Sequence, residues 1–266
     1  MENLKKLFDP RIIEKVMSLR LMDDDLMTKV FADDLEATQF ILRILMKNNS
    51  LKVLKSHSQN DLRNIFGRSI KLDILAEDSD HNLINVEIQR ADKGASAKRA
   101  RYHAAMLDSH FLAKNTDFDK LKNTYIIFIT ENDIWGKGLP TYKVKKTIEE
   151  TDLPFEDGLH ILYVNGEYRG KDSLGDLMHD FSCPNPDDMK YEELAKKVRY
   201  YKQETEGVKT MCKAVEDYGK EIKEEMIIEM IKGGKLTIEE IASYSHVSVE
   251  LVKEIAEKLK VSVDVQ

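Results

Sequence analysis

Cysteine is nearly absent, with 2 in 266 residues. Cys183 and Cys212 lie far apart and form no Cys-x-x-Cys pair. This excludes a disulfide framework and a cysteine-based zinc site, and it fits a reducing, cytoplasmic setting. Proline (5) and glycine (12) are also scarce, which excludes a collagen-like or linker-dominated chain. No apolar run approaches the roughly 18–20 residues that cross a bilayer, so no membrane association is expected. The start, Met1 to Lys6, lacks the apolar stretch of a signal peptide. Excess positive charge is missing too, because the net charge is −7. A nucleic-acid coat protein would be basic, so any nucleic-acid role must rest on a local basic surface. No Walker loop, dinucleotide glycine fingerprint or Gly-x-Ser-x-Gly elbow occurs, and no organic cofactor is expected.

What remains is 42% hydrophobic and 33% charged, which supports a core beneath a heavily charged surface. The length fits one or two domains of about 100–200 residues each. Asp9 and Pro10 mark a helix start, with the helix running from Arg11 to Met22. A second helix is expected over Leu26–Phe31 and a third over Leu35–Lys47, capped by Asp33 or Asp34. The middle then changes period. Ser69–Leu75 and Leu83–Gln89 alternate apolar and polar residues around the polar turn Asp78–Asn82 and predict a β-hairpin. A helix follows over Ala95–Lys114, with Ala97, Ala100, Ala104, Leu107 and Phe111 as its apolar stripe. Tyr125–Ile129 and Leu159–Val164 read as further strands. Cys183–Asp188 is a Pro-punctuated break, and the remainder is helical. The expected division is therefore 1–182 and 183–266, neither half basic. The order of elements predicts an α/β core with an all-helical C-terminal extension.

Residues two apart on a strand face the same way. Glu87 and Gln89 therefore project together, as do Lys71 and Asp73 on the first strand. If the hairpin register sets Asp73 opposite Glu87, two carboxylates converge beside an amide and an amine. A hard divalent cation relieves their repulsion, and Mg²⁺ suits a few carboxylates plus phosphate oxygens. On spacing alone, the same residues also fit a solvent-facing hairpin. The window Gln89–Arg101 holds Arg90, Lys93, Lys98, Arg99 and Arg101 against Asp92. Arg99 and Tyr102 lie about one helical turn apart, where a guanidinium can grip a phosphate and a phenol can pack beside it. A charged solvent face of a helix reads the same way. In the tail, Thr237–Ser243, a turn at Tyr244–Val247 and Ser248–Lys260 allow a helix-turn-helix. The acidic Glu250, Glu254 and Glu257 favour a packing or dimerisation hairpin instead.

The stretch Gly67-Arg68-Ser69-Ile70-Lys71-Leu72-Asp73-Ile74-Leu75-Ala76 followed by Asn85-Val86-Glu87-Ile88-Gln89-Arg90-Ala91-Asp92-Lys93-Gly94 resembles the PD-(D/E)XK nuclease family transposases. Lys98-Arg99-Ala100-Arg101-Tyr102, Phe128-Ile129-Thr130-Glu131-Asn132-Asp133, Tyr163-Val164-Asn165-Gly166 and Leu177-Met178-His179-Asp180-Phe181 extend the likeness over about residues 25–210. The resemblance implies a restriction-endonuclease-like core, a mixed central sheet flanked by helices. It also implies a Mg²⁺-dependent DNA endonuclease (Mn²⁺ as a substitute) linked to recombination or transposition. Asp73 and Glu87 are then the metal ligands and Gln89 stands where the superfamily carries its signature lysine. Lys71 is a candidate for the missing ammonium, and Glu36 matches the acidic residue of the N-terminal helix. Lys98, Arg99, Arg101 and Tyr102 are the expected DNA contacts. A homodimer cutting two strands is the expected assembly. A catalytically silent nuclease fold that binds DNA or protein is the alternative.

Overall fold

The computed structural model describes residues 7–32, 34–65, 67–90 and 94–263. Helices α1 (Pro10–Ser18), α2 (Asp24–Phe31) and α3 (Leu35–Leu45) precede strands β1 (Val53–Leu62), β2 (Ile70–Asp78) and β3 (Leu83–Gln89). Helix α4 (Ala97–Phe111) leads to β4 (Thr124–Thr130), β5 (Thr141–Lys143) and β6 (Leu159–Asn165). Helices α5 (Ser173–Ser182), α6 (Glu192–Gln203), α7 (Thr205–Gly233), α8 (Ile238–Ser245) and α9 (Val249–Val263) follow. Among the described residues the strands form one mixed sheet in the order β1-β2-β3-β4-β6-β5. β3, β4 and β6 run parallel, while β1, β2 and β5 pair antiparallel to their neighbours.

The start of α1 follows its sequence: Asp9 accepts from Arg11 N–H, and Pro10 fills the first turn. The helix stops at Ser18 instead of continuing to Met22. Met22 N–H donates to the Phe181 carbonyl at 3.1 Å, so tertiary pairing takes over from the helix. This link buries Leu19, Leu21 and Met22 and aims Asp23 to Asp25 at the sheet. Asp34 caps α3 through Ala37 N–H at 2.8 Å, whereas Asp33 lies outside the described residues. β1 is an addition to the expected hairpin. Its residues are mostly polar, and Thr38 on α3 holds it by a 2.8 Å hydrogen bond to Ser56.

The sheet separates two clusters of apolar side chains. Val86, Ile88, Ile127, Ile129 and Val164 face a large cluster formed with α1–α3, α5, α6 and the start of α7. Phe128 and Tyr163 stack at 5.4 Å on the other face, beneath α4. Alternation along β3 therefore sends Asn85, Glu87 and Gln89 to the α4 side. Helix α4 buries Ala100, His103, Ala104, Met106 and Leu107. Ala97 and Phe111, expected in its stripe, are exposed where the helix runs past the sheet.

Packing does not part at the Pro-punctuated break. Leu194 and Val198 of α6, and Val208, Met211 and Cys212 of α7, belong to the large cluster. A separate small core begins farther on, where Ile227 of α7 meets Ile241, Ala242, Val252 and Ile255 of α8 and α9. Thr237 and Glu240 form the expected capping box there. Lys202, only 1% exposed, ties α6 to the break. Its ammonium donates to the carbonyls of Met17, Leu19 and Pro184. Lys202→Met keeps the apolar stem and leaves three acceptors without that donor. An unsatisfied buried acceptor costs roughly 1–3 kcal/mol, so a loss of about 2–4 kcal/mol in urea unfolding is expected. An unchanged midpoint would refute the role of this tie.

Candidate active site

The β2–β3 register runs from Glu77↔Leu83 to Ile74↔Val86. One step further places Asp73 opposite Glu87, and there side chains enter the ladder. Asp73 Oδ2 accepts from Ile88 N–H at 2.8 Å, and Asp73 N–H donates to Glu87 Oε1 at 3.3 Å. The backbone of β2 also turns at this point. Leu72 and Ile74 would share a face of a flat strand, yet they belong to clusters on opposite sides of the sheet. Across on β1, Gln59 lies between the paired residues Ser58↔Ile74 and Asn60↔Leu72, at a left-handed φ of 53°. Such local twist is what re-aims a strand side chain.

Glu87 is fully buried and satisfied on both oxygens. Asn85 Nδ2 donates to Oε1 at 2.9 Å, and Arg99 Nη2 donates to Oε2 at 3.0 Å. Arg99 also reaches Gln89 Oε1 at 3.1 Å, the Gly94 carbonyl at 3.3 Å and His103 Nε2 at 3.2 Å. His103 Nδ1 lies 3.1 Å from Asn85 Oδ1. Burial, then the positive charge of Arg99 and Arg68, pushes the His103 pKa down to about 4. The neutral ring accepts from Arg99 at Nε2 and donates from Nδ1 to Asn85. Asn85 is thereby turned with its amide N–H toward Glu87. Gly94 allows the close approach: a Cβ there would fall 1.7 Å from Gln89 Oε1.

The site stores electrostatic tension. Burial, and then the charge of Glu87, pushes the Asp73 pKa up to about 8. Burial likewise raises the pKa of Glu87, opposed by Asn85 and Arg99. Asp24, in the first turn of α2, is raised by burial and by Asp23, opposed by Arg90, Lys71 and Arg99. Asp23, Asp24, Asp25 and Asp73 line one cleft of about 400 Å³ together with Gln89 and Arg99. Asp23 is held by Arg90 at 2.8 Å.

Asp73, Glu87, Gln89 and Arg99 thus come together. Lys71 does not line the Asp73 cleft. It lines an adjoining cavity of about 560 Å³ with Lys98 and Tyr102, because β2 turns between Lys71 and Ile74. Glu36 is exposed in the first turn of α3 and lines neither cleft. The acidic residues near the N-terminal helices that line the Asp73 cleft are Asp23, Asp24 and Asp25. Arg101 is exposed on α4 and lines neither cleft. Arg99 is engaged with Glu87 and Gln89 and is not a free phosphate grip. Residues 91–93, which carry Lys93 and Asp92 of the basic window, lie outside the described residues. Asn85 and His103 were not singled out from sequence. Asn85 shares its strand face with Glu87, and His103 lies one turn after Arg99, so both were legible by spacing once the register was known.

Among the described residues, no group of three or more His, Cys, Asp or Glu side chains is placed to hold a metal ion. Asp73 lines the cleft, whereas the fully buried Glu87 beside it does not; a raised carboxyl pKa beside a second carboxylate is what a hard cation relieves. Such a pair suits an ion that keeps most of its ligands as water and substrate oxygens.

The family model for PD-(D/E)XK nuclease family transposases matches residues 29–168, more than half of the chain. Asp73, Glu87, Gln89 and Arg99 fall inside that match, and Asp24 falls before it. No curated protein and no solved structure matches the chain. The Arg99–Glu87 pair yields a test of its own. Arg99→Ala leaves a buried carboxylate without its cation, at a cost of about 2–4 kcal/mol, somewhat reduced because Arg99 is partly exposed. Arg99→Ala with Glu87→Gln should recover much of that loss in a double-mutant cycle measured by urea unfolding. Additive losses would show that the pair carries no coupling.

Proposed function

The chain belongs to the PD-(D/E)XK nuclease family transposases, and on that premise we propose that it is a metal-dependent endonuclease hydrolysing DNA phosphodiester bonds during recombination or transposition. The observation that carries this reading is the side-chain-filled break in the β2–β3 ladder, where Asp73 and Glu87 meet. Asp73 and Glu87 are the residues that would hold Mg²⁺, with Mn²⁺ as a substitute. A divalent ion bound there supplies Lewis acidity toward a phosphate oxygen and toward water. The chain's own residues do the rest. Arg99 fixes Gln89 through its Oε1, leaving the amide N–H groups to orient a water or a phosphate oxygen. Positive charge at the cleft comes from Arg99, Arg90 and Lys15, in place of a signature lysine on β3. Asn85 and His103 hold Glu87 in one orientation. DNA is the proposed partner, and paired cuts call for two copies of the chain. No helix of the described residues is long and apolar enough to cross a membrane.

A second reading rests on the same salt bridge. Arg99 already neutralises Glu87, and the fold can stand without a metal as a silent DNA- or protein-binding module. Cleavage of supercoiled plasmid separates the two. Metal-dependent nicking by wild type, abolished by EDTA and lost in Asp73→Asn, is the expected result. Absence of nicking by purified wild type would leave the silent module.

The raised pKa of Asp73 predicts a pH signature. Its folded value of about 8 exceeds the ordinary carboxyl value of 3.8. The folded state therefore holds a proton that the unfolded chain has released. Metal-free stability should fall as pH rises from about 4 to 8 and level off above that. Asp73→Asn removes this penalty. It should melt higher than wild type at pH 9 without metal, and about equally near pH 4. Each kcal/mol corresponds to roughly 2–4 °C for a chain of this size. Mg²⁺ should raise the melting temperature of wild type only. An Asn variant that melts lower than wild type at pH 9 would contradict a penalised carboxylate at this position.

A further inference from the structure

We propose that the cavity between the β1–β2 loop and the start of α4 is a subsite for the DNA backbone phosphate next to the one being cleaved. The proposal rests on the nuclease reading for its ligand. The cavity measures about 560 Å³ and is lined by Arg68, Lys71, Lys98 and Arg99, with the hydroxyls of Ser69 and Ser96. Among the described residues, no carboxylate lines it. That is unexpected in a chain of net charge −7. The neighbouring cleft differs in character, with four aspartates among its lining residues beside Lys15, Arg90 and Arg99. Arg99 belongs to both. A strand of DNA whose reacting phosphate sits at Asp73 therefore passes from an acid-lined cleft, suited to a bridging cation, into a cation-lined one.

The basic cavity is built rather than incidental. Tyr102 Oη donates to the Arg68 carbonyl, and Asn64 Nδ2 donates to Tyr102 Oη at 3.1 Å. Ser69 Oγ accepts from Asn64 N–H at 3.0 Å. These bonds pin the Arg68 backbone to α4, so the loop side of the cavity is fixed before a ligand arrives. The first turn of α4 carries no acidic residue to compete with an anion. Tyr102 thus serves the subsite by holding Arg68, and Lys71 serves it directly, in place of the ammonium expected beside Asp73.

The test measures binding separately from cutting. Fluorescence anisotropy of a short labelled duplex is followed across a KCl series with the Asp73→Asn protein, alone and combined with Arg68→Ala and Lys98→Ala. Arg68 and Lys98 are exposed, and circular dichroism confirms folding. The expected result is about a 10-fold weaker dissociation constant and a log–log salt slope less negative by roughly 1–2, since each phosphate contact contributes about 0.9. Exchange of two exposed lysines outside both clefts, Lys196→Ala and Lys232→Ala, should leave the slope unchanged. Duplexes with one neutral methylphosphonate linkage then locate the contact. One linkage should weaken binding to the Asp73→Asn protein and have no further effect once Arg68 and Lys98 are gone. An unchanged slope, or equal small losses at every linkage, overturns the subsite while plasmid nicking by wild type still upholds the nuclease. No duplex binding by the Asp73→Asn protein together with no nicking by wild type overturns both.

Discussion

The constraint on which the candidate site depends is the burial of one carboxylate. Glu87 sits on a central strand with no exposed surface, and an ionised carboxylate there is tolerated only with full compensation. The compensation comes from several elements at once. Asn85 lies on the same strand, Asp73 N–H on the next, and Arg99 on the helix that covers the sheet. His103 orients Asn85, and Gly94 leaves room for Gln89 beside Arg99. The placement of α4 over the sheet, the break in the β2–β3 ladder and the charge balance of the cleft are therefore one problem, solved together.

The same solution leaves the site under tension. Asp73 lies beside Glu87 without an equally close cation, and its carboxyl prefers to keep a proton near neutral pH. Stability and function pull in opposite directions here. A protein selected for stability alone would not retain a buried carboxylate beside another one, and sites that do so are candidates for function on physical grounds. Around this tension the fold is otherwise well supported. The polar ties of Lys202 and Asp180 hold the helical layer together, with Asp180 accepting from Lys190 and Tyr191 N–H at 2.7 and 2.9 Å. The long helix α7 joins that layer to the small three-helix core at the C-terminal end.

Much of this was legible from residue order. Alternation over 69–75 and 83–89 located the hairpin. The rule that residues two apart share a strand face paired Glu87 with Gln89. The apolar run at Tyr125 to Ile129 located β4, which the structure shows as a buried parallel strand. Strand β1 escaped because its side chains are polar and its pairing is secured by β2 and α3, not by its own pattern. Glu36 was matched by resemblance to the acidic residue of the N-terminal helix, and it stands exposed in the first turn of α3, lining neither cleft. Asp24 was hidden inside an aspartate run that reads as a helix start.

The sequence by itself determined the alternation of elements, the hairpin that carries Asp73 and Glu87, and the family to which the chain belongs. These are local properties, set by periodicity, capping and motif spacing within a few tens of residues. Only the tertiary structure decided which charged groups meet. The turn of β2 at Asp73 sends Lys71 to one cavity and Asp73 to another. The early end of α1 brings Asp24 to the cleft. The seating of α4 spends Arg99 on Glu87 instead of leaving it to solvent. Each outcome depends on how separate elements share one interior, where an unpaired charge is costly and a few ångströms decide its partner.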